Sequence, residues 1–326
     1  MKLPSYKWIV FVVLIFIIHI GAGFSEYKLV FQEDHFLLEG IYHVLETDLD
    51  NDGSTEALLA GKNYVGREMF MYWLIEGPLH QPTIKWQSPN LFEDRSYLWI
   101  TTGKFTNSQN QLLACTDSQI YLYQYENNSL NLIKQEKHPF APVNFTSGDL
   151  NGDGFNEFVV AKIGKITNRI YNDLVQVWQL KEGKFQLVAE TGLVGNIRSL
   201  TAGDIDGDGK EEIIMEEGYL TGSGNIHIFA LNDQKISERF SLRKAVPGAI
   251  YALRVKNFPA GVRLLTASGQ GKIKSFVWQN NALIPIAGEI SLGCELVDFA
   301  AIGLNKDQNP ALWVAGYPAR LMILTE

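Results

Sequence analysis

Asp48-Leu-Asp50-Asn-Asp52-Gly53-Ser54-Thr-Glu56, Asp149-Leu-Asn151-Gly-Asp153-Gly154-Phe155-Asn-Glu157 and Asp204-Ile-Asp206-Gly-Asp208-Gly209-Lys210-Glu-Glu212 are three spellings of one nine-residue pattern. Each places oxygen-bearing side chains at positions 1, 3, 5 and 9 and a glycine at 6. A hard cation such as Ca²⁺ takes six to eight oxygens, and alternate residues of a tight loop can aim theirs at one centre. The glycine permits a chain reversal that a Cβ would obstruct. The backbone carbonyl at position 7 (Ser54, Phe155 or Lys210) is then expected to turn inward as a further ligand. A single Asp-rich turn is common; three in register argue for a cation.

An EF-hand closes its loop with a bidentate Glu at position 12 and is flanked by helices. Here position 12 is Leu59, Val160 or Met215. The segments after each loop, Ala57-Leu-Leu-Ala60, Phe158-Val-Val-Ala161 and Ile213-Ile-Met215, are apolar and partly β-branched, which reads as strand. Position 9 is left to close the site.

The loops also mark a longer repeat. Their first residues stand 101 and then 55 positions apart, so a copy without carboxylates is expected near residue 100. Gly103 through Ala114 fits, and further copies lie at Val255 through Ala267 and Ile302 through Ala315. Alternating apolar segments recur in step: Met69–Leu74, Gln119–Tyr125, Leu174–Trp178, Asn225–Phe229, Lys272–Trp278 and Arg320–Leu324. A fourth strand follows in five units, as at Thr83–Trp86 and Phe185–Val188, and the sixth unit runs out of chain. Tyr27–Phe31 has no unit of its own and can supply that missing strand, removing an open sheet edge. The prediction is an all-β fold, a β-propeller of six four-stranded blades whose ring is closed by the N-terminal strand.

The three loops and the strands around them resemble the FG-GAP or VCBS repeat family, known from integrin α-subunit propellers and bacterial exported proteins. The resemblance spans most of the chain beyond residue 25, although three of the six repeats lack the acidic ligands. It implies three structural Ca²⁺ sites: Asp48, Asp50, Asp52 and Glu56; Asp149, Asn151, Asp153 and Glu157; Asp204, Asp206, Asp208 and Glu212. Asn151 offers a neutral oxygen where the other loops have a carboxylate, so the second site is expected to bind most weakly. Relatives often have seven blades, and the count of six departs from that.

The chain has 326 residues, 46% of them hydrophobic, and a net charge of −8 without a basic stripe. This profile supplies a core and argues against nucleic acid as a partner. Residues 1–25 stand apart from the propeller expected over 26–326. Lys2 and Lys7 precede the apolar run Trp8–Ile20, and small residues follow, which is the pattern of a secretory signal with cleavage after Ala22 or Ser25. Retention of the run as an N-terminal membrane anchor is the alternative, and would be the chain's one membrane contact. Either way the body is expected outside the cell membrane. Cys115 and Cys294 fall in different repeat units and read as small buried hydrophobes.

The face opposite the acidic loops is where a ligand is expected. Its loops and blade crossings bring Tyr64, Arg67, Arg95, Arg169, Tyr171, Arg198 and Tyr219 to one end of the channel. Tyr and Arg are common interface anchors, though solvated loop tips have the same composition. No catalytic motif of the nucleophile-elbow, zinc-protease or phosphate-loop kind occurs. His227 reads as a hydrogen-bonded strand residue, and Glu216 and Glu217 as neighbours pointing to opposite faces. The expectation is therefore a non-enzymatic, exported, calcium-binding module for an extracellular protein or glycan. A polysaccharide lyase or hydrolase built on a propeller is the alternative.

Overall fold

Each acidic loop is a hairpin connection between two strands, and the same unit recurs around a ring. The computed structural model describes residues 27–34, 40–63, 69–76, 79–88, 98–138, 142–167, 170–218, 224–303, 310–317 and 320–325. The secondary structure of these residues is entirely β. Blade one comprises β2 (Gly40–Thr47), β3 (Glu56–Asn63), β4 (Met69–Glu76) and β5 (Thr83–Gln87). Blade two is β6 (Trp99–Gly103), β7 (Gln111–Cys115), β8 (Gln119–Glu126) and β9 (Ser129–Lys137). Blade three is β10 (Pro142–Gly148), β11 (Glu157–Thr167), β12 (Ile170–Lys181) and β13 (Lys184–Glu190). Blade four is β14 (Ile197–Gly203), β15 (Glu212–Glu217), β16 (Asn225–Asn232) and β17 (Lys235–Leu242).

Blade five is β18 (Ile250–Phe258), β19 (Gly261–Ser268), β20 (Lys272–Gln279) and β21 (Ala282–Pro285), with β22 (Ile290–Ser291) also paired to β20. Blade six is β23 (Leu296–Ile302), β24 (Ala311–Gly316) and β25 (Arg320–Thr325), completed by β1 (Lys28–Asp34). β1 runs antiparallel to β25, from Lys28 opposite Thr325 to Asp34 opposite Arg320. The six-bladed propeller and its closure by the N-terminal strand are thus as the repeat predicts.

The first strand of every blade touches the first strands of both neighbours, so β2, β6, β10, β14, β18 and β23 line the channel. The second strands are covered on both faces: Gln111–Cys115 and Ala311–Gly316 are buried at every residue. That double coverage explains their unbroken apolar runs, since a strand buried on one face alone would alternate. Leu59, Val160 and Met215, where an EF-hand would place its last ligand, are fully buried core residues.

The core is divided into six wedges, each shared by two adjacent blades. Leu58, Ala60 and Leu74 of blade one meet Ile100, Leu112 and Ala114 of blade two. Phe145, Phe158 and Phe185 of blade three pack on Leu113 and Leu122 of blade two. The seam between blades six and one is built in the same way, from Ala311, Trp313 and Ile323 against Val44, Leu59 and Ile75.

One repeat copy and one cysteine depart from the simple expectation. In blade five, β18 and β19 continue to a tight hairpin, with Phe258 paired to Gly261, so no long loop remains there. Cys115 ends β7 and is buried, but Cys294 lies outside the strands, between β22 and β23, and is only partly buried. Neither cysteine forms a disulfide bond. Residues 1–26, including the expected signal or anchor, lie outside the described residues. No described helix is long and apolar enough to cross a membrane.

Candidate functional site: acidic loops at one end of the channel, an aromatic mouth at the other

The loops between first and second strands take one backbone shape in blades one, three and four. Gly53, Gly154 and Gly209 at position 6 have φ of 89°, 88° and 88°, the left-handed region that a Cβ disfavours. Position 4 is left-handed too, at Asn51 (59°), Gly152 (78°) and Gly207 (79°). This second requirement explains why only Asn and Gly occur there, and the sequence reading did not use it. Side-chain oxygens then cap the turn. The position-1 carboxylate accepts the backbone N–H of the position-6 glycine at 3.2 Å (Asp48), 2.8 Å (Asp149) and 3.0 Å (Asp204). The position-5 aspartate accepts the N–H of Ser54, Phe155 or Lys210 at 2.7, 2.9 and 2.9 Å.

Position 9 has a role beyond closing a metal site. One oxygen of Glu56, Glu157 and Glu212 accepts the backbone N–H of Leu49, Leu150 and Ile205, at 3.3, 3.0 and 3.2 Å. These position-2 side chains are buried, so the bond pins the loop to the core. Blade two does the same without charge: Gln111 Oε1 accepts the N–H groups of Phe105 and Thr106 at 3.2 and 3.0 Å. Successive loops are also tied to each other. Asn110 Nδ2 donates to the Asp48 carbonyl, Asn156 N to the Lys104 carbonyl and Glu211 N to the Asp149 carbonyl.

The donor set suits a divalent cation in two loops. Oxygens of Asp48, Asp50, Asp52 and Glu56 lie within 4.8 Å of one another, as do those of Asp204, Asp206 and Asp208. Glu212 stands apart from the second group, and the loop of blade three, with Asn151, does not gather three carboxylates in this way. Glu56 is 2% exposed, and its inward Oε1, like Asp48 Oδ1, has no hydrogen-bond partner. Such a buried oxygen is costly unless a positive charge faces it. Burial raises the carboxyl pKa of Glu56, Glu157 and Glu212 to about 7 each; beside Glu56 and Glu212 the Asp50 and Asp206 charges add to it. A group so reluctant to ionise is one that a bound cation would hold in its charged form.

A cavity of about 1170 Å³ runs along the inner strands; Glu46 and Lys256 line it toward the loops, and Tyr42, Trp99, Asn144, Arg198 and Tyr251 line its opposite end, with Arg254 and Asp298 between. The Arg198 guanidinium lies over the Tyr251 ring at 4.6 Å, and Asn144 donates to the Arg198 carbonyl at 2.8 Å. Asp298 accepts from Arg254 at 2.6 Å and from the Val44 backbone at 3.0 Å, joining blades six, five and one. Arg254, then His43 and the Val44 N–H, hold its carboxyl below the usual range despite its burial. Of the predicted ligand-face residues, Arg198 is brought to this mouth. Tyr171 sits in β12 opposite Ile166, and Tyr64, Arg67, Arg95, Arg169 and Tyr219 lie outside the described residues.

Tyr42, Trp99, Asn144 and Tyr251 were missed. The register explains two of them: β2 and β18 each shift register near their start, and Tyr42 and Tyr251 fall at these bulges, whereas Trp99 and Asn144 sit in paired positions. Period-two reading cannot assign a face across a bulge. His227 meets Glu238 at 2.7 Å, as a hydrogen-bonded strand residue should. Glu216 is fully buried while Glu217 is partly exposed and accepts from Asn225, so the two do not share one surrounding.

Residues 149–215 match the model of the FG-GAP-like repeat. The resemblance read from the loops therefore holds, on a propeller of six blades. Similar solved structures include BBS1N in complex with ARL6DN, soaked with mercury; its TM-score is 0.56 at 12% identity, covering 92% of this chain and 96% of that one. Likeness at that identity identifies the propeller and nothing finer. No curated protein matches the sequence.

Glu157→Ala should cost about 1–3 kcal/mol by stranding the buried Leu150 N–H, whereas Glu157→Gln should keep the latch as Gln111 does. Urea unfolding of both in chelator checks this, and equal losses would refute the latch. Buried Glu216 accepts the Arg198 N–H at 3.3 Å, and burial raises its pKa from 4.5 to about 8. Between these values the folded chain keeps a proton that the unfolded chain has released. Its contribution to stability is complete below pH 4.5 and is lost as the pH rises through about 8. Glu216→Gln should flatten that part of the profile of melting temperature against pH; an unchanged slope would remove Glu216 as its source.

Proposed function

We propose that this chain is an exported, calcium-stabilised binding module whose ligand, an extracellular protein or glycan, sits at the channel mouth opposite the acidic loops. The observation that carries the reading is the division of labour between the two ends. One end spends its polar side chains on capping its own backbone and gathering carboxylates. The other presents aromatic rings and Arg198 around an open cavity. Aromatic rings supply contact area and a guanidinium supplies directional hydrogen bonds, the residue types enriched at recognition hot spots. Export rests on the charged-then-apolar pattern of residues 1–25, and Ca²⁺ on the FG-GAP-like repeat together with the oxygen donors. Calcium, when bound, would neutralise the inward carboxylates and fasten the ends of the inner strands.

We assign no catalytic role, because the carboxylates of the loops are engaged in capping, and Asp298 and Glu46 in the channel are engaged in ion pairs with Arg254 and Lys256. Release of unsaturated product from uronate polysaccharides would reverse that assignment in favour of the lyase alternative.

Millimolar Ca²⁺ should raise the melting temperature by several degrees over EDTA, since an ion at 100 times its dissociation constant contributes about 2.7 kcal/mol per site. Superimposable melts would remove calcium from the proposal. For the ligand, arrays of glycans and extracellular proteins should yield a binder whose affinity falls about tenfold or more in Arg198→Ala and Tyr42→Ala. A binder indifferent to both substitutions would place recognition elsewhere.

A further inference from the structure

The fourth strand of a blade reaches back over its acidic loop, and in blades one and four it delivers a basic side chain to the centre of the carboxylates. Lys85 Nζ lies 2.6 Å from Asp50, 3.5 Å from Asp52 and 3.7 Å from Glu56. Arg239 spans Asp206 at 2.7 Å and Glu212 at 2.5 Å. The two residues come from equivalent places. β5 skips Lys85 between the pairs Leu74–Trp86 and Ile75–Ile84, and β17 skips Arg239 between Ile228–Phe240 and Phe229–Glu238. The same bulge recurs in blades two and three, where the skipped residues are Ile133 and Val188. A cation therefore stands at the bulge in the blades whose loops carry four carboxylates, and an apolar residue where the loop has fewer.

We propose that Lys85 and Arg239 are built-in counter-ions that compete with a divalent cation for the oxygens of their loops. Lys85 faces the inward Oδ2 atoms of Asp50 and Asp52 and Oε1 of Glu56, the oxygens a metal would take. In blade four Arg239 occupies one oxygen each of Asp206 and Glu212, while Asp208 N and Ile205 N occupy the others. A metal entering either loop must share these oxygens with a positive charge or expel it. Among the described residues, no basic side chain pairs with the loop carboxylates of blade three, whose bulge residue is Val188. There a neutral group faces the glutamate: the Asn151 amide donates to Glu157 Oε1 at 2.6 Å while its Oδ1 accepts the Asp153 N–H at 2.8 Å.

The charge of a loop therefore overstates its pull on a metal: the loops of blades one and four, which gather the most carboxylates, keep their shape without one. The inference rests on the proposed calcium binding, and the experiment separates the two. Lys85→Met and Arg239→Met keep the apolar stem and remove the charge. Melts of the parent and both variants in EDTA and in millimolar CaCl₂, with calorimetric Ca²⁺ titration, give the readout.

Each variant should melt lower than the parent in EDTA and recover in CaCl₂, so that the calcium-dependent increment grows. Titration should show the relieved loop binding about fivefold tighter or more, the scale of a reciprocal coupling between rival ligands. Unchanged melting in EDTA, or an increment equal to the parent's, overturns the counter-ion role and leaves calcium binding standing. No increment in the parent but one in the variants supports the counter-ions and refutes calcium in the native loops. No increment in any of the three proteins overturns both.

Discussion

A four-stranded sheet with apolar side chains on both faces cannot persist alone in water; each face needs a second apolar surface. In this chain every blade obtains both surfaces from its neighbours, and the core is the set of six wedges between them. The rest of the structure follows from that constraint. The ring must close, because an uncovered first or last blade would leave a wedge open. β1 closes it by pairing with β25, and Tyr27, the residue before β1, is buried in the wedge between blades five and six. The inner strands must also approach closely at the loop end. A Cβ on Gly203 would come within 2.3 Å of Val255 in the next blade, and one on Gly148 within 2.6 Å of Ala202.

The acidic loops are best understood as solutions to the same problem. A short connection between an inner strand and a fully buried one leaves backbone N–H groups beside the core, and these need acceptors. The aspartates at positions 1 and 5 and the glutamate at position 9 supply them. Gln111 supplies them in blade two with no charge, and blade five avoids the need with a tight hairpin. The carboxylates that remain face one another and call for a positive charge, which Lys85 and Arg239 provide in two blades. Capping, charge neutralisation and inter-blade contact are thus one network, with the loop-to-loop bonds of Asn110, Asn156 and Glu211 passing from blade to blade.

At the far end the constraint is relaxed. The inner strands diverge from regular pairing through bulges, and their first residues turn toward the cavity. Buried carboxylates still stitch the seams: Asp173 accepts the Ile197 N–H at 2.8 Å, and Asp298 ties Val44 and Arg254. Between these supports, Tyr42, Trp99 and Tyr251 line open space, a surface that the packing of the blades leaves available for recognition.

By itself the amino-acid sequence determined the repeat, the strand order, the position of each loop and the closing strand. These depend on local spacing: a strand buried on two faces must read as an apolar run, and a left-handed turn must read as Gly or Asn. The spacing also located the acidic side chains that gather in blades one and four, because those lie within nine residues of one another. Tertiary structure alone decided what faces them. Lys85 is 29 positions beyond Glu56 and Arg239 is 27 beyond Glu212, and each reaches its loop through a bulge that carries no sequence signature of its own. Tyr42 and Tyr251 at the channel mouth were hidden for the same reason. A one-residue bulge reverses which side chains point inward, and that reversal is set by the pairing of whole strands rather than by the residues at the bulge.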